Sequence, residues 1–194
     1  LAPFTFSAAT RSLPALLLLA LLLLVACEKE GDAPPATLPP LEVTTYKNEA
    51  AFDLLYPADW SYQVMREGIM LFGEEEVLFQ QEAGASVVFY RIPAHTGRED
   101  LPESFAHFMD NGPLRTGYEE TSELQSVSLD GREALAVSVK RDEAETQPAV
   151  QAYILGTRTE SGSIYIISAT APSDEWNRHW PAFQVLVQSI HFNE

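Results

Sequence analysis

Glu123-Leu-Gln-Ser-Val-Ser-Leu129, then Asp130-Gly131, then Arg132-Glu-Ala-Leu-Ala-Val-Ser-Val-Lys140 is the stretch that decides the fold. Asp-Gly between two alternating apolar segments is a hairpin signal, because both turn positions must take a positive φ. Glu123–Leu129 reads as one strand and Glu133–Lys140 as its return, with Ala134 and Ala136 or their neighbours facing inward. A polar tip, Arg141 to Gln147, leads to a strand over Ala149–Thr157, and Ser161-Gly162 turns the chain into another over Ile164–Thr170. Each connection is too short for a parallel crossover, so the sheet must be antiparallel.

Upstream, Leu41–Tyr46 and Phe52–Tyr56 read as a strand pair around Lys47-Asn48, and Tyr62–Arg66 and Ile69–Phe72 as another around Glu67-Gly68. Val77–Gln80 is expected to be a short strand and Ala85–Ile92 a buried one closed by Pro93. Asp100-Leu-Pro-Glu103 has the form of a helix capping box. Leu101, Phe105, Phe108 and Met109 then share one helical face until Asn111-Gly112-Pro113 stops it. A second helix is expected from a Ser173 cap, with Trp176, Trp180, Phe183 and Val187 in one stripe and Pro181 on the far side. Its stripe is expected to be core rather than a partner-gripping surface. Ser189–Phe192 closes the chain as a strand.

The start of the chain carries an address. Arg11 precedes a leucine-rich run from Ala15 to Ala26, which ends Leu24-Val25-Ala26-Cys27. The run has the length of a signal-peptide core and falls short of the roughly 20 apolar residues that span a bilayer. Leu24, Val25 and Ala26 before Cys27 resemble the bacterial lipobox, which implies that the thiol is acylated and that Cys27 becomes the first mature residue. Cys27 is the lone cysteine of the chain, so no intrachain disulfide is expected, and acylation would consume an otherwise exposed thiol. Residues 1–26 are thus read as a lipoprotein signal peptide. Residues 27–40, with four prolines and four charges after the cysteine, are read as an acylated cysteine and tether. At polyproline spacing the tether reaches about 40 Å at most. The expected location is a bacterial cell membrane, lipid-anchored and facing outside the cytoplasm.

The chain of 194 residues has 12 bases and 28 acids, a net charge of -16. Removing residues 1–26 takes away one base, Arg11, and no acid, leaving 11 bases against 28 acids, a net of -17. Nucleic acid is excluded as a partner, because binding it needs a cationic footprint. The hydrophobic share of 46% is enough for a core over residues 41–194, read as one domain.

Three segments resemble a known family. Phe52-Asp-Leu-Leu-Tyr56-Pro57-Ala-Asp-Trp60 is similar to the opening of PsbP-like domains. Leu129-Asp-Gly131-Arg-Glu-Ala134 is similar to their middle hairpin, and Pro181-Ala-Phe183-Gln-Val-Leu186-Val-Gln-Ser189-Ile190-His-Phe192 to their closing helix and strand. Order and spacing agree over residues 46–194. The family takes in LpqN-type bacterial lipoproteins and the photosystem II extrinsic protein. The resemblance implies an α+β fold, a single antiparallel sheet sandwiched by helices, and a docking protein rather than an enzyme. The photosystem partner is not carried over, since a basic docking surface does not fit a body of this charge.

Chemistry is sparse. His95, His107, His179 and His191 are scattered, with no pair at i+3 or i+4 and no zinc spacing. His107 and His179 are expected at the surface or boundary. No nucleophile elbow, phosphate loop or dinucleotide fingerprint occurs. The acid clusters Glu74-Glu75-Glu76, Glu119-Glu120 and Asp142-Glu143-Glu145 lack an EF-hand pattern and read as solvated surface. No cofactor or metal is expected. Tyr56-Pro57 and Trp60 are read as structural, with the proline ending the strand and the indole capping the core. The expected function is a tethered, non-catalytic module that binds an unidentified protein. The alternative is a carrier of a small or lipidic ligand in a cavity between sheet and helices.

Overall fold

The computed structural model describes residues 40–66, 69–79, 84–94, 100–144 and 147–193. The turn expected at Glu67-Gly68 lies outside them. The elements are β1 (Val43–Tyr46), β2 (Phe52–Pro57), β3 (Trp60–Arg66), β4 (Ile69–Glu74), α1 (Glu75–Phe79), β5 (Ser86–Ile92), α2 (Leu101–Asn111), a 3-10 turn (Leu114–Thr116), β6 (Glu119–Glu120), β7 (Gln125–Leu129), β8 (Arg132–Arg141), β9 (Val150–Arg158), β10 (Ile164–Pro172), α3 (Trp176–Gln188) and β11 (His191–Phe192).

Every strand pairing is antiparallel. Asp130 and Gly131 take φ values of 50° and 73°, as an Asp-Gly hairpin requires, and β7 and β8 pair in register from Leu129↔Arg132. The large sheet runs β3-β4-β5-β10-β9-β8-β6, with β7 also on β8.

The expected single sheet is corrected to two, because β1, β2 and β11 form a separate three-stranded sheet. Pro57 ends β2 without an N–H to offer, the chain turns at Ala58-Asp59, and Trp60 begins the large sheet. The free edge of β2 is taken by β11, in the register His191↔Asp53. Ser189 on the approach to β11 accepts the Leu55 N–H at 2.8 Å.

Two further expectations are corrected. Val77–Gln80 is not a strand: Glu75–Phe79 is helical, and Gln80 lies outside the described residues. Glu74 ties the two ends of this excursion together, since its carboxylate accepts the Ala85 N–H at 3.2 Å and its own N–H donates to the Ala85 carbonyl at 3.3 Å. β4 and β5 therefore pair directly through Gly73↔Ser86. Ser173 does not cap α3; Glu175 occupies the cap position without a side-chain bond. Ser173 instead donates its N–H to the Ala149 carbonyl at 3.0 Å, holding it in the preceding turn.

Alternation along the central strands feeds two apolar clusters. Tyr165, Ile167 and Ala169 of β10 join Phe52, Phe72, Phe89 and the α3 residues Phe183 and Leu186. Ile164 and Ile166 join Phe105 and Met109 of α2 with Val137, Val139 and Ile154. α2 thus buries Phe105 and Met109 of the face its periodicity marked, whereas the buried face of α3 is shifted to His179, Ala182, Phe183 and Leu186. Asp100 caps α2 by accepting the Glu103 N–H at 3.1 Å. Gly156 on β9 lets α2 sit close: a Cβ there would lie 2.5 Å from the Phe105 ring. Of the α3 stripe, Phe183 is fully buried, while Trp176, Trp180 and Val187 pack against the same cluster half-buried.

Candidate functional site

Cys27, Leu24, Val25 and Ala26 lie outside the described residues, as do His95 and Glu145. The remaining histidines are held apart. His107 is exposed on α2 beside Asn111 (3.2 Å), and His191 faces Asp130 at 3.1 Å. His179 is buried, against expectation, with Nε2 at 3.2 Å from Glu175 and 3.9 Å from Glu74. Glu74 comes from β4 and Glu175 from one turn earlier in the same helix, so a buried polar ring finds carboxylates there. Among the described residues no three of His, Cys, Asp or Glu come together to hold a metal ion. Trp60 is buried edge-on to Phe183 (5.9 Å between ring centroids), which is core rather than ligand stacking.

A concavity lies beside α2. With 11 residues α2 extends only about 16 Å, and Gly112-Pro113 turns the chain away through the 3-10 turn to Tyr118. Sheet positions beyond its reach are left open. The result is a partly open groove of about 520 Å³, floored by Val88, Ala152, Ile154 and Ser168 and walled by Phe108 and Tyr118. Tyr90 joins the wall with its ring 5.1 Å from Phe108. Burial raises the pKa of both Tyr90 and Tyr118; Arg141 partly offsets the rise at Tyr118. Both hydroxyls therefore stay protonated at neutral pH.

Tyr118 and Thr170 also border a second cavity of about 330 Å³, whose wall includes Ser86, Val150 and Arg141. The Arg141 guanidinium stacks 5.1 Å above the Tyr118 ring, and its buried Nε has no hydrogen-bond partner. Sequence reading missed both residues. The available signal was one arginine at the end of a long apolar strand in a very acidic chain.

A second feature is on the edge of the large sheet. β3 ends it, and Tyr62, Val64 and Met65 are 47%, 61% and 56% exposed. Tyr62 and Val64 stand opposite Phe72 and Met70 of β4. Tyr62 meets Tyr46 of β1 at 5.1 Å, and Val43 on β1 is also exposed.

No family model matches the chain, and no curated protein does. Solved structures do. Cyanobacterial PsbP from Synechocystis sp. PCC 6803 is similar at 15% identity, with a TM-score of 0.53 over 82% of this chain and 98% of that one. The chain has the PsbP-like fold. LpqN of Mycobacterium tuberculosis, described as involved in cell envelope biogenesis, is similar at 14% identity and a TM-score of 0.51, over 80% of this chain and 87% of its own. The Saccharomyces cerevisiae Ran-binding protein Mog1p is similar at 13% identity and 0.55, over 79% and 97%. At such identities the PsbP-like likeness speaks for the fold. It is an α+β arrangement of a large antiparallel sheet with two principal helices.

Proposed function

We propose that this protein is a lipoprotein held by acylated Cys27 to a bacterial membrane, outside the cytoplasm, where its domain docks a protein partner without catalysing a reaction. The observation that carries the docking is the β3 edge. Among the described residues no strand pairs with its outer side, and it carries three exposed apolar side chains, the arrangement to which a partner strand adds. A register shift between Val64 and Arg66 interrupts regular pairing at one end and restricts how much of the edge a partner can use. Two similar folds lend support: one belongs to a Ran-binding protein and another to a protein involved in cell envelope biogenesis.

Two variants test the proposal. Cys27→Ser should move the protein from the membrane fraction to the soluble one; retention after carbonate and salt washing would refute the anchor. Val64→Lys places a charge on the edge. In gently solubilised membranes, the wild type should migrate on a native gel as a complex larger than the chain, and Val64→Lys should migrate alone with an unchanged melting temperature. A wild type that migrates alone would refute the docking.

The groove beside α2 favours a second reading, a carrier of a small or lipidic ligand. Its volume of about 520 Å³ falls in the range of small-molecule sites.

A further inference from the structure

We infer that the groove beside α2 and the cavity adjoining it at Tyr118 and Thr170 form a binding site for a medium-chain carboxylate, with the apolar chain in the groove and the head group at Arg141. The inference deepens the carrier reading and is independent of the β3 edge.

Charge distribution is the first argument. The chain has 28 acidic residues, yet among the described residues no Asp or Glu lines either cavity. Among the described residues, Arg141 is the one charged residue in the wall of the second cavity. A wall whose described residues hold a cation and no carboxylate, in a protein this acidic, is complementary to an anion. A third cavity that Arg141 also borders does contain Glu119 and Asp142, with Asp142 taken by Lys140 at 3.2 Å. Those carboxylates disfavour an anion there and leave the acid-free pair as its place.

The state of Arg141 is the second. No ion-pair partner for it exists among the described residues, and its Nε is buried with its hydrogen unclaimed. A desolvated donor of this kind costs stability until an acceptor arrives. Stacking on Tyr118 fixes the plane of the guanidinium, so its fork is aimed before a ligand binds. Ser86, Thr170 and Tyr118 supply hydroxyls along the same walls.

The third argument selects the head group and the body. One guanidinium neutralises one charge. A carboxylate carries one, whereas a phosphate monoester carries roughly -1.5 to -2 near neutral pH and would leave an excess inside an acidic protein. The adjoining groove, reached past Tyr118 and Thr170, offers Val88, Phe108, Val139 and Ile154 to an alkyl chain.

The test uses the full chain in lipid nanodiscs with a photoreactive octanoate carrying a diazirine on its chain, read by mass spectrometry of the adducts. Adducts are expected on peptides bearing Phe108, Tyr118 or Val139. Octanoate should compete, and octanol and octyl phosphate should compete poorly. Arg141→Met, which keeps an apolar stem, should lower labelling about ten-fold or more, as loss of a charge-assisted bond does; Arg141→Lys should restore part of it. Ser168→Leu fills the groove floor while leaving Arg141 in place, and should also abolish labelling, with circular dichroism confirming the fold of each variant. Adducts scattered over the surface, equal competition by octanol, stronger competition by octyl phosphate, or wild-type labelling of a folded Arg141→Met would each overturn the assignment.

Discussion

Replacing Gly156 by alanine tests how tightly α2 is seated on the sheet. The new Cβ would lie 2.5 Å and 3.2 Å from two atoms of the Phe105 ring and 3.1 Å from Cδ1 of Ile166. Phe105 is 2% exposed and Ile166 fully buried, so neither has free space to retreat into. Overpacking of this kind costs about 1–3 kcal/mol. Alanine returns roughly 0.5–1 kcal/mol, because glycine loses more backbone freedom on folding. The net is a loss of up to about 2.5 kcal/mol, or up to about 10 °C in melting temperature for a domain of this size. Near-ultraviolet circular dichroism against temperature reads it. A second substitution makes the test specific: Phe105→Leu removes the ring that clashes, so the double variant should be more stable than the sum of the two single losses. The coupling should be about 0.5 kcal/mol or more. A Gly156→Ala protein that melts higher than the wild type, or single losses that simply add, would refute the packing argument.

Phe183→Ala, at a residue 1% exposed and in ring contact with Trp60 and Trp176, should cost roughly 3–5 kcal/mol, which a thermal melt reads as a fall of about 6–20 °C. Trp180→Ala should also lower the melting temperature, by less, because Trp180 is half-buried against Tyr153 (5.4 Å) and Trp176; an unchanged melt would return this helix to the docking surfaces. Asp130 should make stability fall in acid. Burial alone would raise its pKa, but the Phe192 N–H (2.9 Å), His191 and Arg132 together outweigh burial and hold the carboxyl below the ordinary 3.8. A depressed pKa contributes stability that is complete above the unfolded value and is lost as pH falls through the folded one. The gap in melting temperature between wild type and Asp130→Asn should therefore be widest near neutrality and narrow below about pH 4; a gap constant with pH would contradict it.

Local chemistry was legible where one segment determines the outcome. The Asp130-Gly131 turn, the Asp100 cap and the Phe105–Met109 and Phe183 faces all follow from neighbours a few residues away. The division into two sheets does not, because it depends on β11 reaching β2 across more than a hundred residues of chain. The short apolar run at Val77–Phe79 fits a strand or a helical turn equally. Only the Glu74–Ala85 bonds, which close the excursion, decide between them. His179 flanks the tryptophan stripe, where sequence alone puts it at a boundary, and its burial goes with Glu74 arriving from β4. The groove was invisible because it is a space left by a helix that stops early. Arg141 looked like part of a solvated tip. Its significance lies in the cavity wall it shares with Tyr118 and Thr170, and that is a property of the folded surface.

The docking of a partner on β3 is tested most directly by placing a photo-crosslinking amino acid at position 64 of the full chain and irradiating intact cells. The reading predicts one discrete adduct in the membrane fraction, heavier than the chain by the mass of a different protein. A control crosslinker at exposed Gln184 of α3 should give none. No adduct from position 64, an adduct of twice the chain's own mass, or equal adducts from both positions would contradict it.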